Sequence, residues 1–585
     1  MRSFRGAPAI LLAILLALLG APGSTGIAVA QSDGAAHTHA MDAPPQNFLS
    51  PEATHILQRL LVQDYQGRTK PLDTYSLEMV MKVTKKGHYL GWRPLDMYLS
   101  WLVDGDYWTG QPLLYVHHPG TKELLSIDPS IDHVVPASLW DARGRYRMAD
   151  EVETTLRTPP SERSKARTKL LSFDEEFQIF VATVRGITLR IFPVPNDPNH
   201  AWTGPEGFSS LDPQTQQEYQ GLYDKLIGGL QTRNDQLITE AAAGIHAAQV
   251  AHSTEIMPSD AQLTAEITLN HLNPFVWVML PYLLTFMVLT LAYAWSLARR
   301  HGAAYPLRHP LYLIGMVPFW IGIGIHAYGY ILRWIVSGRA PLSNGYESLI
   351  FISLCTALAG VFYEIRDRHG STAALSSLLT IILLGVAMLP TFDPAISPVV
   401  PVLASFWLII HVSVITASYA FLGLCAFIGM TILILHLFKK PGRTEIHHAI
   451  LEMNRLHWSI LVMGIAFLSV GTLLGGVWAN ESWGRYWGWD PKETWALITI
   501  LIYGAIAHFR FIEPLNTPRM LASGTFLAIS TVVMTYFGVN YLLSGLHSYA
   551  AGDAAGVPPW IYVAGALMVL LVLAAAQRDR THRWA

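Results

Sequence analysis

From Pro274 onward the chain alternates long apolar runs with short polar breaks, whereas the positions before it mix apolar and polar residues without a sustained run. A helix needs about 20 largely apolar residues to cross a hydrocarbon core of ~30 Å. Nine stretches meet that requirement: 275–297, 311–336, 345–364, 373–390, 402–437, 456–478, 493–511, 519–546 and 558–577. The fifth is long enough to project beyond a bilayer. Residues 51–270 read as a separate domain, mainly helical with some extended segments. It has LVQDYQGRTKPLDTYSLEMVMKV near its start and a Gln- and Ala-rich helical stretch, Gln214 to His252, near its end. Residues 31–50 are small, polar and proline-containing, as in a flexible leader. Ahead of them, Arg2 and Arg5, an apolar stretch around Ile10 to Leu19, and Ala28-Val29-Ala30 before Gln31 have the layout of a secretory signal peptide over 1–30. An uncleaved anchor helix is the alternative. The expected fold class is an all-α polytopic membrane protein of about nine transmembrane helices, preceded by a signal peptide and an exported, mainly helical domain.

Composition sharpens this picture. Only 14% of the 585 residues are charged and 51% are hydrophobic, against about 25% charged in an ordinary soluble protein. A formal net charge of −2 leaves no electrostatic footprint for nucleic acid, so no such partner is expected. Charge matters by position instead. Arg299-Arg300 with Arg308, Arg366 with Arg368, Lys439-Lys440 with Arg443, Arg510 with Arg519, and Arg578, Arg580 and Arg583 fall in every second loop. Lys and Arg concentrate in cytoplasmic loops. One topology satisfies every group: a cytoplasmic C-terminus, with the 51–270 domain and the loop 479–495 on the periplasmic side of a bacterial inner membrane. Cys355 and Cys425, the two cysteines, lie in apolar runs, which excludes a disulfide in the exported domain. No Cys-x-x-Cys-His occurs, so the chain does not itself attach a c-type haem. His37-x-His39-x-Met41 in the leader lacks the fixed scaffold that a specific metal site needs.

The break between the sixth and seventh runs reads WGRYWGWDPKETW, Trp483 to Trp495. Tryptophan and tyrosine gather at membrane interfaces generally, but an aromatic belt scatters over many helix ends. Here Trp483, Tyr486, Trp487, Trp489 and Trp495 crowd one short loop, with Gly484 and Gly488 permitting close backbone approach. A flat, polarisable ligand such as a porphyrin explains that crowding, because stacking adds to plain area burial. Asp490-Pro491 has the form of a helix start, Asp as cap and Pro at the first position. Lys492 and Glu493 either pair with each other or meet the propionates of such a ligand, and snorkelling accounts for Lys492 as well.

With SGRAPLSNGYESLIF upstream (Ser337 to Phe351) and FGVNYLLSGLHSYA downstream (Phe537 to Ala550), WGRYWGWDPKETWALIT resembles the CcsA/ResC-type cytochrome c assembly proteins of the tryptophan-rich (WWD) haem-handling superfamily. The resemblance covers about 335 to 550, in a transmembrane part taken as 271–585. LVQDYQGRTKPLDT is similar to the exported part of CcsB-CcsA fusions. What the resemblance implies is specific. His411 and His547, at the outer ends of the fifth and eighth runs, correspond to the family's external histidine pair and would hold one haem iron from opposite faces. His508, fifteen residues past Glu493 or about 22 Å along a helix axis, matches a transmembrane histidine that receives haem before it moves outward. His326 is a second buried histidine, either the inner partner ligand or a helix-packing contact; in the fusions that partner belongs to the CcsB part.

The function implied is cytochrome c biogenesis. The chain would move or receive haem b, present it on the tryptophan-rich loop between His411 and His547, and act as a cytochrome c synthetase, joining haem to the Cys-x-x-Cys-His of apocytochrome c. A thiol-reducing system would keep those cysteines reduced, and a CcsB/ResB-like membrane subunit would complete the complex, since a signal peptide leads straight into the exported domain here. A haem exporter or chaperone serving a separate lyase is the alternative. An electron-transferring b-type subunit would carry two histidines about fourteen apart on one span, and no span shows that spacing.

Overall fold

A computed structural model of the chain describes residues 48–298, 309–399, 403–440, 444–543, 545 and 557–581. The expected signal peptide, nearly all of the leader and His547 lie outside them. The domain begins earlier than its composition suggests. Phe48 and Leu49, placed in the leader by their polar neighbours, are buried in the domain core, and Ser50 caps the helix Pro51–Leu57 by accepting the Ala53 amide at 3.1 Å.

The domain is helical around one aromatic-rich core, with Trp101, Trp108, Tyr98, Phe177 and Phe180 fully buried. Its extended pieces are three short antiparallel hairpins: Leu61–Gln63 with Thr69–Pro71, Leu114–Tyr115 with His133–Val134, and Phe192–Pro193 with Trp202–Thr203. The helical stretch expected over 214–252 is two helices, Pro213–Thr232 and Asp235–Ser253. The break comes at Arg233, whose φ of 55° is left-handed, after which the Asn234 side chain caps the second helix. The helix Asp260–Leu272 then joins domain to bundle: Asn270 Nδ2 donates to Thr74 at 2.8 Å and His271 meets Asp73 at 3.1 Å.

The bundle follows the apolar runs closely. Among the described residues, eight helices are long and apolar enough to cross a membrane. In chain order with the shorter one these are the first span Asp260–Ala298, second Pro310–Ser337, third Gly345–Asp367, fourth Ser371–Ala387, fifth Phe406–Leu437, sixth Thr444–Trp483, seventh Pro491–Phe511, eighth Pro518–Leu542 and ninth Pro559–Asp579. Proline opens the second, seventh, eighth and ninth, where its missing N–H costs nothing. The sixth runs to 40 residues, about 60 Å at 1.5 Å per residue, far beyond the expected 456–478. Its added turns are amphipathic: Ile446, Ala449, Ile450, Met453 and Leu456 form a buried stripe, packed in one core with the fifth.

Helix direction sorts the ends. The third, fifth and seventh spans start at the end facing the domain, so Arg366, Arg368, Lys439 and Arg510 gather at the opposite end. There Asp579 of the ninth span accepts from Lys439 at 2.6 Å and pairs with Arg519 at 3.3 Å. The ninth span is otherwise nearly all exposed.

Candidate functional site

At the domain-side end, segments far apart in sequence enclose a cavity of about 450 Å³, within the usual range for small-molecule sites. One wall is the contact between the fifth and sixth spans. His411 lies on the fifth and lines the cavity. Its Nδ1 is 2.7 Å from the Gly471 carbonyl on the sixth. A carbonyl only accepts, so Nδ1 carries the proton and Nε2 the lone pair. Glycine makes this approach possible. A Cβ on Gly475 would sit 2.6 Å from His411 Cε1, and one on Gly476 would sit 3.0 Å from the Tyr486 carbonyl oxygen.

The second wall is the tryptophan-rich loop. The sixth span ends at Trp483, and Gly484, with φ of 72°, reverses the chain while its amide donates to Asn480 at 2.9 Å. The seventh span begins with a reciprocal cap: Asp490 accepts the Lys492 amide at 3.0 Å, and Glu493 accepts the Asp490 amide at 3.2 Å and the Gly488 amide at 2.8 Å. Glu493 therefore organises the loop rather than ion-pairing with Lys492, whose ammonium donates to Asn540 at 3.2 Å. Tyr486 and Trp487 line the cavity together with Lys492 and Glu493. Trp487 meets Trp489 edge to face at 5.7 Å, and Trp489 is 70% exposed with a left-handed φ of 57°. Trp483 packs against Trp478 at 4.7 Å, and Asp490 is a buried cap. Trp495, half-buried one turn into the helix, holds Thr499 through its carbonyl. These three and Trp489 are not among the described lining residues.

The remaining walls come from the other two motifs and from a loop that sequence reasoning passed over. Within the eighth span Met534–Gly538 forms a π-helical turn, a local form frequent at functional sites. It brings Thr535, Tyr536, Asn540 and Tyr541 to the cavity. Tyr536 donates to the Gly345 carbonyl at 3.2 Å, is 2.6 Å from the Ser348 hydroxyl, and meets Tyr419 of the fifth span at 6.1 Å. Phe392, in the loop 391–399 after the fourth span, contacts Phe537 and Tyr541 at 6.2 and 6.4 Å. The motif around Ser337 to Phe351 works through charge. Glu347 is fully buried and accepts from Arg333 at 3.1 Å, from Arg339 at 3.1 Å and from the Ser343 amide at 2.8 Å. Arg333 also donates to the Pro394 carbonyl at 2.9 Å and Arg339 to that of Ser397 at 3.2 Å, which pins the 391–399 loop. Arg333 and Glu347 carried a signal in the sequence, since ionisable groups inside apolar runs mark function by default.

The other expected ligands lie elsewhere. His326 is fully buried, with Nε2 3.1 Å from the Ile350 carbonyl and Nδ1 3.4 Å from the Tyr282 hydroxyl. His508 is exposed at the far end of the seventh span, and its Nδ1 is 2.7 Å from the Gly504 carbonyl, the same tautomer-setting contact as at His411. His547 is outside the described residues. Gly545, two positions earlier, runs so close to the loop that a Cβ there would sit 2.6 Å from Asp490 Oδ2.

Comparison with known proteins converges on the same segments. The family described as "Cytochrome C assembly protein" matches residues 342–547. Protein NrfI of Wolinella succinogenes is 36% identical over 508 residues, 86% of this chain and 55% of that protein. The chain thus spans about half the length of NrfI. Cytochrome c biogenesis protein CcsA of Chlorella vulgaris is 36% identical over 255 residues, 37% of this chain and 80% of the relative. CcsA of Guillardia theta is 32% identical over 280 residues, covering 92% of its own length.

Proposed function

This chain belongs to the CcsA-type cytochrome c assembly proteins, with an additional N-terminal domain, and from that membership we propose that it presents haem for covalent attachment to apocytochrome c. The observation that carries the proposal is the lone pair of His411 Nε2 at a cavity lined by Tyr486, Trp487, Tyr419 and Tyr536. His411 is one axial ligand and His547 the other, with haem b as the arriving cargo. Lys492 suits the propionates. Trp483, Trp489 and Trp495 shape the loop around it, with Asp490 as its anchor.

Each attachment adds one cysteine thiol across one vinyl group. Sulfur bonds one vinyl carbon and the thiol hydrogen ends on the other, with no oxidant or reductant consumed. The cysteines must arrive reduced, because the thiol state is what reacts, so a thiol-reducing system serves the substrate. Placing vinyl and thiol in register is the protein's main catalytic contribution. The site then faces the periplasmic side, and the basic end of the bundle faces the cytoplasm. His508 receives haem in that inner half. Its exposure on the bundle surface supports a second ligand from a CcsB/ResB-like subunit, and His326 is assigned to helix packing, its nitrogens lying against Ile350 and Tyr282.

The test is co-expression with a reporter cytochrome bearing Cys-x-x-Cys-His. Purified wild-type protein carries low-spin haem and yields covalent product; His411→Gly changes the spectrum and stops product formation, and His508→Ala lowers haem loading. Unchanged spectrum and product in His411→Gly would refute the assignment. Haem binding without product leaves the chain a carrier for a separate lyase.

A further inference from the structure

The motif LVQDYQGRTKPLDT is left without a role by the haem site itself, yet the fold carries it to that site. It forms the hairpin Leu61–Gln63 with Thr69–Pro71, and its turn is held by Asp64, whose Oδ1 accepts the Gln66 and Arg68 amides at 2.9 and 3.0 Å. Buried Lys70 braces the base of the turn, 2.6 Å from Asp64 and 2.8 Å from Glu78. Arg68 is what the turn presents. Its Nη2 is 2.6 Å from Glu266 Oε2, a buried carboxylate on the helix entering the first span, and its Nη1 donates to the Ile396 carbonyl at 3.2 Å. Ile396 lies in the 391–399 loop, whose Thr391, Phe392, Asp393, Ala395 and Ser397 line the cavity. Consecutive stretches of that loop are thus held by guanidinium groups of three origins: Arg333 on Pro394, Arg68 on Ile396 and Arg339 on Ser397.

We propose that Arg68 is a positioning residue through which the N-terminal domain sets the wall of the haem cavity. The inference rests on the haem reading for its consequence but not for its geometry. A guanidinium spans carboxylate and carbonyl at once because its donors are fixed in a planar fork; an ammonium on a flexible stem is a single point charge. Arg68→Lys therefore keeps the pair with Glu266 and loses the hold on Ile396. A role in charge balance alone predicts the opposite, that lysine serves as well as arginine.

The experiment uses the full chain in membranes, with Cys355→Ala and Cys425→Ala and a single new thiol at Ala395→Cys in the loop or Ser130→Cys on the exposed domain surface. Alkylation by a water-soluble maleimide reads loop mobility without haem. Loss of a hydrogen bond from a charged group predicts about tenfold faster labelling at position 395 in both Arg68→Ala and Arg68→Lys, with position 130 unchanged. In parallel, the visible spectrum of haem in the same two variants shifts or weakens relative to wild type. Equal labelling at 395 with and without Arg68, wild-type behaviour of Arg68→Lys, or a matching rise at 130 overturns the proposal. Wild-type protein that binds no haem overturns the haem reading instead, and the labelling arm still decides the role of Arg68.

Discussion

Gly475→Ala adds one methyl group where His411 leaves no room. The new carbon would lie 2.6 Å from Cε1, 2.9 Å from Nδ1 and 3.2 Å from Nε2 of the imidazole. To restore ordinary contact at 3.4 Å, the ring must retreat by roughly 0.8 Å, or the fifth and sixth spans must part. Overpacking of this kind costs about 1–3 kcal/mol. Losing the 2.7 Å bond from Nδ1 to Gly471 adds about 1 kcal/mol and frees the tautomer. Against this, alanine gains about 1 kcal/mol over glycine inside a helix. The net effect on folding is small while the displacement falls wholly on the ligand. Gly475→Ala should therefore keep near-normal thermal stability in detergent yet lose the low-spin haem spectrum and most covalent product. Gly385→Ala is the control, because a Cβ there meets nothing within 4 Å. A Gly475→Ala protein with the wild-type spectrum would refute the claim that His411 ligates from the position described.

Three further outcomes follow from the same geometry. Asp490→Asn should behave nearly as wild type because asparagine caps as well as aspartate, whereas Asp490→Ala should lose ~1 kcal/mol and loosen the loop, seen as faster proteolysis between Trp483 and Pro491. Glu347→Ala strands Arg333 and Arg339 in a buried site and should destabilise the protein by about 3–5 kcal/mol, measured as a fall in thermal midpoint and in yield. A reporter active only outside the cytoplasm should be active when fused within 51–270 or near Asn480, and silent near Lys440 or after Arg580; activity at Lys440 would invert the proposed sidedness.

The spans were legible because a helix that meets lipid must be apolar along most of its length, and the bounds came within a few residues for most of them. The sixth was the exception. Its first three turns carry His447, His448, Asn454 and Arg455, polar residues that depress mean hydropathy, while the buried stripe from Ile446 to Leu456 has a helical period that a search for apolar runs does not see. In the site, His411, Tyr486 and Trp487 stood out by type and by setting. Phe392, Tyr419 and Tyr541 did not, since each is an ordinary aromatic in an apolar context and acquires its place only when distant segments meet. Arg68 was quoted within a motif, but its partner carbonyl is 328 positions away. No local pattern encodes such a distance.

The π-helical turn at Met534–Gly538 has a bearing on how this protein can change over generations. Such a turn holds one residue more than an α-helix of the same rise, so its information lies in chain length rather than in side-chain identity. Deleting any one residue there would relax the segment to an α-helix and rotate all that follows by about 100°. Asn540 and Tyr541 would swing off the cavity wall together, and the chain leading to His547 would turn with them. Point substitutions in this segment can drift one at a time; a single-codon deletion would discard several contacts at once. Descendants of this gene are thus expected to vary freely in spelling here and hardly at all in count.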